Sequence, residues 1–477
     1  MIPTIGLEVH VQLNSKTKIF CGCQVKFGAA PNAQVCPVCL GLPGVLPVLN
    51  REVFRLGLRA VLALGGKPSE LIKFDRKNYY YPDLPKGYQI SQYDQPLGRG
   101  GEVEIELEGR AKKVRLNRLH LEEDAGKLIH DQSPDSSLVD LNRAGTPLAE
   151  IVSEPDLDSS EEVHAYLTAL KSILRSIGVS DCDMEKGQLR CDANVSVRRT
   201  SSDPLGKRVE IKNLNSFRSV KVAVEHEIER QTTAVEKGES IRQETRLWDD
   251  TKQRTVAMRS KEEAHDYRYF PEPDLVPFRV TADEIDRERA ALPELPKAAK
   301  ERFIRDHGLT PYDAGQLTQD RSISLFFEAT NQILQNPKVT ANWITGPVFA
   351  YLGANNLSIE ETRLTPLLLA GTAGLVQQGV VSLQVAKEKI FPEVAEKGRD
   401  PIEVLKEKGL EQVSDESALD VWIAEVIRSN EKVVADFKSG KETAAMFLVG
   451  QVMKKSAGKA NPGKVQERMR KRLAELP

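Results

Sequence analysis

Apolar and polar residues alternate strictly in two stretches of the first half of the chain. In residues 5–13, Ile5, Leu7, Val9, Val11 and Leu13 fall on one face, and Gly6, Glu8, His10 and Gln12 fall on the other. In residues 189–197 the apolar face is Leu189, Cys191, Ala193, Val195 and Val197, and the opposite face is Arg190, Asp192, Asn194 and Ser196. A period of two predicts strands with one face on a core. The polar members are compact, directional groups rather than the loosely spaced Lys, Glu and Thr of an ordinary solvated face. They predict a sheet whose polar side is a floor able to hold metal ions and a phosphorylated ligand.

Other segments extend the picture. Val103, Ile105 and Leu107 alternate, Glu108-Gly109 turns, and Val114 and Leu116 alternate again, which predicts a hairpin. Residues 139–143 and 209–212 read as further strands. Val163, Tyr166, Leu167, Leu170, Ile173, Leu174 and Ile177 recur at helical spacing, with Ser159 and Glu162 placed for a capping box and Gly178 for a left-handed C-cap. A second helix is predicted from about Ser219 to Lys237, ending at Gly238. Strands, hairpins and packed helices predict an α+β fold with a large, mostly antiparallel sheet. The segment Leu292-Pro-Glu-Leu-Pro296 marks a boundary, after which strand signals vanish. A further break falls near 398–401. Beyond it the chain is again helical, punctuated by Gly440, Gly450, Gly458 and Pro462. The expected domains are 1–292, 293–405 and 406–477, the last two all-α.

Composition narrows the classes. A chain of 477 residues is too long for one core, and its 40% hydrophobic content suffices for several. A net charge of -2 gives no global attraction to nucleic acid, so any RNA contact comes from local patches. The start, Met1-Ile-Pro-Thr-Ile, has neither a basic nor an apolar run, so no signal peptide is expected. The most apolar late stretch, 364–383, contains Pro366, Gln377 and Gln378 and predicts no membrane span. A cytoplasmic location is expected.

Candidate chemistry lies in four groups. Cys21-Gly-Cys23 and Cys36-Pro-Val-Cys39 fit a Cys₄ zinc site, structural because four thiolates leave no open position. Four unrelated buried cysteines are the competing reading, and Cys182 and Cys191 read as core thiols. The acids Glu8, Glu150, Asp192 and Glu210, those of Leu119-His-Leu-Glu-Glu-Asp124, and His10 suit Mg²⁺ or Mn²⁺, since carboxylates among apolar neighbours need a partner. Glu122 and Glu123 face opposite ways by strand phase. Cations are the third group: Arg76 and Lys77 stand beside the Tyr79–Tyr81 run, and Arg143, Arg190, Lys212 and Arg268 lie in similar segments. Cations and metal are what phosphoryl transfer needs, yet no P-loop, dinucleotide or nucleophile-elbow motif is present. The fourth group is a basic patch at 454–472, with eight Lys or Arg and one acid, Glu467, which suits either RNA phosphates or plain solvation.

The blocks Ile5-Gly-Leu-Glu-Val-His10, Phe74-Asp-Arg-Lys-Asn-Tyr79, Leu119-His-Leu-Glu-Glu-Asp-Ala-Gly-Lys127, Asp140-Leu-Asn-Arg-Ala-Gly-Thr-Pro147, Leu189-Arg-Cys-Asp-Ala-Asn194, Glu210-Ile-Lys-Asn-Leu-Asn-Ser216 and Asp266-Tyr-Arg-Tyr-Phe-Pro-Glu-Pro-Asp274 resemble the B subunits of bacterial aspartyl/glutamyl-tRNA amidotransferases, the GatB/GatE family. So do Phe447-Leu-Val-Gly-Gln-Val-Met453 and Lys459-Ala-Asn-Pro462. The resemblance covers essentially the whole chain. It implies a glutamine-synthetase-like cradle followed by two helical domains that hold tRNA. It implies a heterotrimer with an amidase A subunit and a small C subunit. The activity implied is a glutamine-dependent C–N ligase: ATP and Mg²⁺ phosphorylate the side-chain carboxylate of Glu-tRNA(Gln) or Asp-tRNA(Asn), and channelled ammonia displaces the phosphate. The implied roles are Mg²⁺ binding by Glu8, His10, Glu123, Glu150 and Glu210, phosphate neutralisation by Lys77 and Arg190, nucleotide contact by Tyr79, and catalysis by Lys77, Arg190 and Asp192. A non-catalytic tRNA-binding scaffold with structural zinc is the alternative, and a stand-alone ligase for a small acid is a third.

Overall fold

The computed structural model describes residues 1–130, 136–260, 267–411, 416–438, 441, 443–456 and 460–475. Asp266, Gly440, Gly458 and Lys459, singled out above, lie outside the described residues. The chain divides into two compact units, 1–296 and 297–477.

The first unit is built from β1 (Ile2–Gln12), α1 (Arg51–Ala63), β2 (Asp75–Asn78), β3 (Tyr88–Ser91), β4 (Glu102–Leu107), β5 (Arg110–Glu123), β6 (Pro147–Ser153), α2 (Ser160–Ser176), β7 (Leu189–Arg198), β8 (Val209–Leu214), α3 (Phe217–Glu236), β9 (Glu244–Asp249), β10 (Arg254–Ser260) and β11 (Phe270–Pro271), with shorter pieces between. A ten-stranded sheet runs in the order β10–β9–β8–β7–β1–β6–β5 and continues into Gly98–Arg99 and Lys67–Pro68, while β4 pairs with β5. Every pair is antiparallel except β8 with β9. A parallel pair needs a long crossover, and α3 supplies it. The fold is therefore α+β with a large, mostly antiparallel sheet.

The period-two pattern does the sorting. Ile5, Leu7, Val9 and Val11 of β1 and Cys191, Ala193 and Val195 of β7 are fully or nearly fully buried, in one core with Val163, Tyr166, Leu167 and Leu170 of α2 and Val220, Ala223 and Val224 of α3. The helices cover the apolar face and leave the Glu8/His10 face open to a cavity. In the β4–β5 hairpin, Glu108 (φ 50°) and Gly109 (φ 76°) make the expected two-residue turn, both with positive φ. The cap of α2 differs from expectation in one bond. Ser159 Oγ accepts from Glu162 N–H (3.2 Å), but the Glu162 carboxylate accepts from Asp158 N–H (2.9 Å) rather than closing the box on Ser159. The strand expected at 139–143 is Ser137–Asp140 and pairs only with Lys127–His130, as a separate ribbon. A small three-stranded sheet, β11–β2–β3, is also separate.

In the second unit every described element is helical. Helices start at a capping side chain followed by proline at Thr310-Pro311, Thr365-Pro366, Asp400-Pro401 and Asn461-Pro462, a sequence signature of a helix N-terminus. Apolar side chains collect in two clusters, one around Phe303, Phe327 and Ile344 and one around Ile423, Leu448 and Met469. Among the described residues no helix is long and apolar enough to cross a membrane.

Candidate active site

Strand register assembles the floor. Arg190 of β7 stands opposite His10 of β1, His10 opposite Glu150 of β6, and Glu150 opposite His120 of β5. The adjacent row is Asp192, Glu8, Val152 and Arg118. Asn194, opposite Gly6, leads on to Glu210. Side chains two apart share a face, so Glu122 joins His120. This polar face forms the base of a cavity of about 750 Å³ lined by Glu8, His10, Lys77, Tyr79, Glu150, Asp192 and Glu210, among others.

At its centre His10, Glu122 and Glu150 place one nitrogen and two carboxylate oxygens within 4.8 Å of one another. His10 Nε2 lies 3.3 Å from Glu150 and 3.6 Å from Glu122, and His120 Nε2 lies 3.3 Å and 3.7 Å from the same two acids. Ser91 Oγ donates to Glu122 (3.2 Å). Two buried carboxylates side by side repel, and removal from water opposes their ionisation. Burial raises Glu150, but His120 and His10 outweigh it and hold the carboxyl well below the usual range; Glu122 is lowered in the same way, chiefly by His120. Conversely, burial disfavours the imidazolium forms, yet Glu150 and Glu122 raise both histidines, His120 to about 9. One imidazole and two carboxylates, close together with their charges already balanced by exchangeable protons, fit a divalent cation.

The cations stand around this centre. Lys77 on β2 has its Nζ 4.8 Å over the Tyr267 ring. Burial alone would lower its ammonium, but Tyr269, Glu122 and Glu150 more than compensate and raise it. Lys212 pairs with Asp192 (2.7 Å) and Glu210 (3.5 Å). Arg190 is held by Asp124 (2.9 Å) and lines an adjoining cavity of about 280 Å³ with His10, Lys77, Tyr79 and Glu122. Tyr79 OH donates to Gln89 (3.3 Å).

The predicted ligands thus separate. His10 and Glu150 meet at the centre, while Glu8 lies beside it and accepts from Asn194 (3.0 Å). Glu210 accepts from Thr245 (2.8 Å). Glu123 is not in the cluster. It faces the opposite side of the sheet, ion-paired with Lys86 and accepting from Ile90 N–H (2.8 Å); Glu122 takes the place on the floor. His120, Arg118 and Ser91 also line the cavity and are not among the site residues expected from sequence. Continuing the β5 alternation back from Glu122 finds His120 at once, whereas Ser91 comes from another sheet and leaves no signal.

Apart from this cavity, Cys21, Cys23, Cys36 and Cys39 bring four sulfurs within 4.8 Å of one another. Cys39 Sγ accepts from Cys36 N–H (3.2 Å) and lies 3.5 Å from Nζ of the buried Lys18. The hydrogen bond from Cys21 chiefly, then the Cys36 amide and Lys18, lower Cys39 to about 4 against the effect of burial, so one thiolate is already favoured. Burial pushes Cys23 up to about 11. Four soft donors at this separation fit zinc. In the tail, the basic helix Pro462–Ala474 spends part of its charge internally, since Arg468 forks onto Asp420 (2.9 and 2.6 Å).

The sequence has relatives. The profile of the GatB/GatE catalytic domain matches residues 3–286, and that of the GatB domain matches 325–473. A protein of Carboxydothermus hydrogenoformans, named as the B subunit of aspartyl/glutamyl-tRNA(Asn/Gln) amidotransferase, is 50% identical over 475 residues, 99% of this chain and 98% of that one. Proteins of the same name from Geotalea daltonii (52% over 472 residues, 98% of each chain) and Thermoanaerobacter sp. strain X514 (51% over 471 residues, 99% of each) are similar throughout. The chain belongs to the GatB family and aligns with amidotransferase B subunits over nearly all of its length.

Proposed function

We propose that this chain activates the side-chain carboxylate of a misacylated tRNA, Glu-tRNA(Gln) or Asp-tRNA(Asn), by phosphoryl transfer from ATP, and then amidates it. The observation that carries the reading is the His10/Glu122/Glu150 cluster, with both acids buried, sharing a polar cavity with Lys77. A carboxylate is a poor acyl donor because oxide leaves badly. Its oxygen attacks the γ-phosphorus, the bond to the bridging oxygen of ADP breaks, and an acyl phosphate forms. Ammonia then adds at the carbonyl carbon, phosphate leaves, and the amide remains. His10, Glu122 and Glu150 would hold a divalent cation, which supplies positive charge against phosphate oxygens. Lys77 and Arg190 add fixed cations where charge accumulates. Lys212 holds Asp192 and Glu210 in place at the far side of the floor.

Partners follow from chemistry that this reading assigns elsewhere. Ammonia comes from glutamine on a separate amidase A subunit, a small C subunit completes a heterotrimer, and the basic tail, within a third domain at 406–477, holds the tRNA body. The four cysteines hold a structural zinc ion. The test is conversion of Glu-tRNA(Gln) to Gln-tRNA(Gln), and of Asp-tRNA(Asn) to Asn-tRNA(Asn), by the chain co-expressed with A and C subunits. Glu150→Gln is expected to cut turnover about 100-fold or more while tRNA affinity stays near wild type. Equal turnover in both forms would favour a non-catalytic scaffold.

A further inference from the structure

The same cavity has an aromatic wall that phosphoryl transfer alone leaves without a task. Tyr93 follows β3, and Tyr267 and Tyr269 precede β11; all three line the cavity with Lys77. Tyr93 and Tyr269 stack with ring centroids 4.3 Å apart and planes 11° from parallel. Tyr267 meets Tyr269 edge-on at 6.2 Å and carries Lys77 Nζ 4.8 Å over its ring. A continuous set of contacts therefore runs from the stacked pair to a cation beside the floor.

Both stacked residues sit on braced backbone. Asp75 accepts from Tyr93 N–H (3.1 Å) and is paired with Lys73 (3.1 Å). Asn78 Nδ2 donates to Arg268 O (2.8 Å), between the two tyrosines, where Arg268 adopts φ 45°. A left-handed arginine is an uncommon conformation that its surroundings must enforce. Yet Tyr93 remains 51% exposed although one of its faces is already covered. An aromatic pair that served only packing would bury both rings. Here a rigid ring is left bare inside a cavity whose floor suits phosphate. Flat heteroaromatic bases stack on such rings with little dependence on hydrogen bonding.

We propose that Tyr93 and Tyr269 form a stacking platform for an adenine ring. The proposal rests on the phosphoryl-transfer reading of this cavity and adds its base-binding subsite. Two sources supply adenine in that reaction, ATP and the terminal adenosine of tRNA.

Dissociation constants of the full chain separate them, measured for Mg-ATP, for magnesium tripolyphosphate, and for tRNA with and without its terminal adenosine. In Tyr93→Leu and Tyr269→Leu, ATP binding is expected to weaken about tenfold with tripolyphosphate unchanged, and Tyr93→Phe and Tyr269→Phe to bind like wild type. A loss confined to intact tRNA, absent from the shortened tRNA, would support the platform with tRNA as its source. Unchanged ATP and tRNA affinities in the leucine variants would overturn the platform and leave phosphoryl transfer standing. Equal weakening of ATP and tripolyphosphate, with both tRNAs unaffected, would also overturn it, because the damage would not involve the ring. Failure of wild type to bind either ATP or tripolyphosphate would overturn both readings.

Discussion

Glu122 and Glu123 are neighbours in sequence, yet they belong to different chemistry. Glu122 points to the floor with His10, His120 and Glu150, where protons balance a cluster suited to an exchangeable cation. Glu123 points to the other side, beside the cysteine loop, and is locked by Lys86 and by backbone N–H of Ile90. The floor is set by register across four hydrogen-bonded strands, so its geometry stands without an ion. The cysteine loop has no comparable frame. Between β1 and α1 the chain makes turns and one isolated bridge, Thr17 with Gln24, and four sulfurs converge without regular structure to hold them. In the proposed function a cation on the floor serves chemistry and one in the loop serves folding.

The largest expected effect breaks the comparison at one residue. Glu122→Gln should weaken Mn²⁺ binding, measured by paramagnetic resonance, by about 100-fold, while Glu123→Gln leaves it unchanged. Glu123→Gln should instead destabilise the fold in denaturant titration by about 3 kcal/mol, because Lys86 loses its charged partner. Loss of metal affinity in both variants would show that the two faces are not independent.

Next, Cys36→Ser should abolish bound zinc, measured by metal analysis, and open residues 21–39 to limited proteolysis. The sheet should melt within about 5 °C of wild type, since its core holds none of these four cysteines. Then His120→Gln, which keeps a donor but removes the imidazolium charge that competes with a cation for Glu122 and Glu150, should raise Mn²⁺ affinity at neutral pH about tenfold.

The smallest effect is in pH. His10 must lose its proton to ligate a metal, and its pKa is raised by Glu150 and Glu122 against burial. Metal affinity should therefore climb as pH rises and level off once that raised value is passed, by at most about tenfold per unit. Stability of the metal-free protein runs the other way. His120 is raised from 6.5 to about 9, so its contribution is fully present below 6.5 and is lost as pH rises through about 9. Thermal melting across pH 6–10, with and without metal, checks both signs.

Much of this was legible in sequence where a periodic pattern carried it. The strands at 5–13 and 189–197 appear as Ile2–Gln12 and Leu189–Arg198, and the helix expected around 163–177 as Ser160–Ser176. Alternation gives the faces, so Glu8, His10, Asp192 and Glu210 were readable as one polar set. It does not give register. That His10 lies between Arg190 and Glu150, and that Glu122 rather than Glu123 completes the cluster, depends on which strands pair and by how many residues they are offset. The tyrosine wall was less legible still, because Tyr93 and Tyr269 are 176 residues apart in sequence and meet only through loops flanking a separate small sheet.

In the proposed reaction a side-chain carboxylate oxygen attacks phosphorus on this floor. Its most direct measurement is isotope transfer: tRNA charged with glutamate carrying ¹⁸O in the side-chain carboxylate, incubated with the complex, ATP, Mg²⁺ and glutamine. One labelled oxygen is expected in each phosphate released with product. Unlabelled phosphate at full amide yield would contradict it.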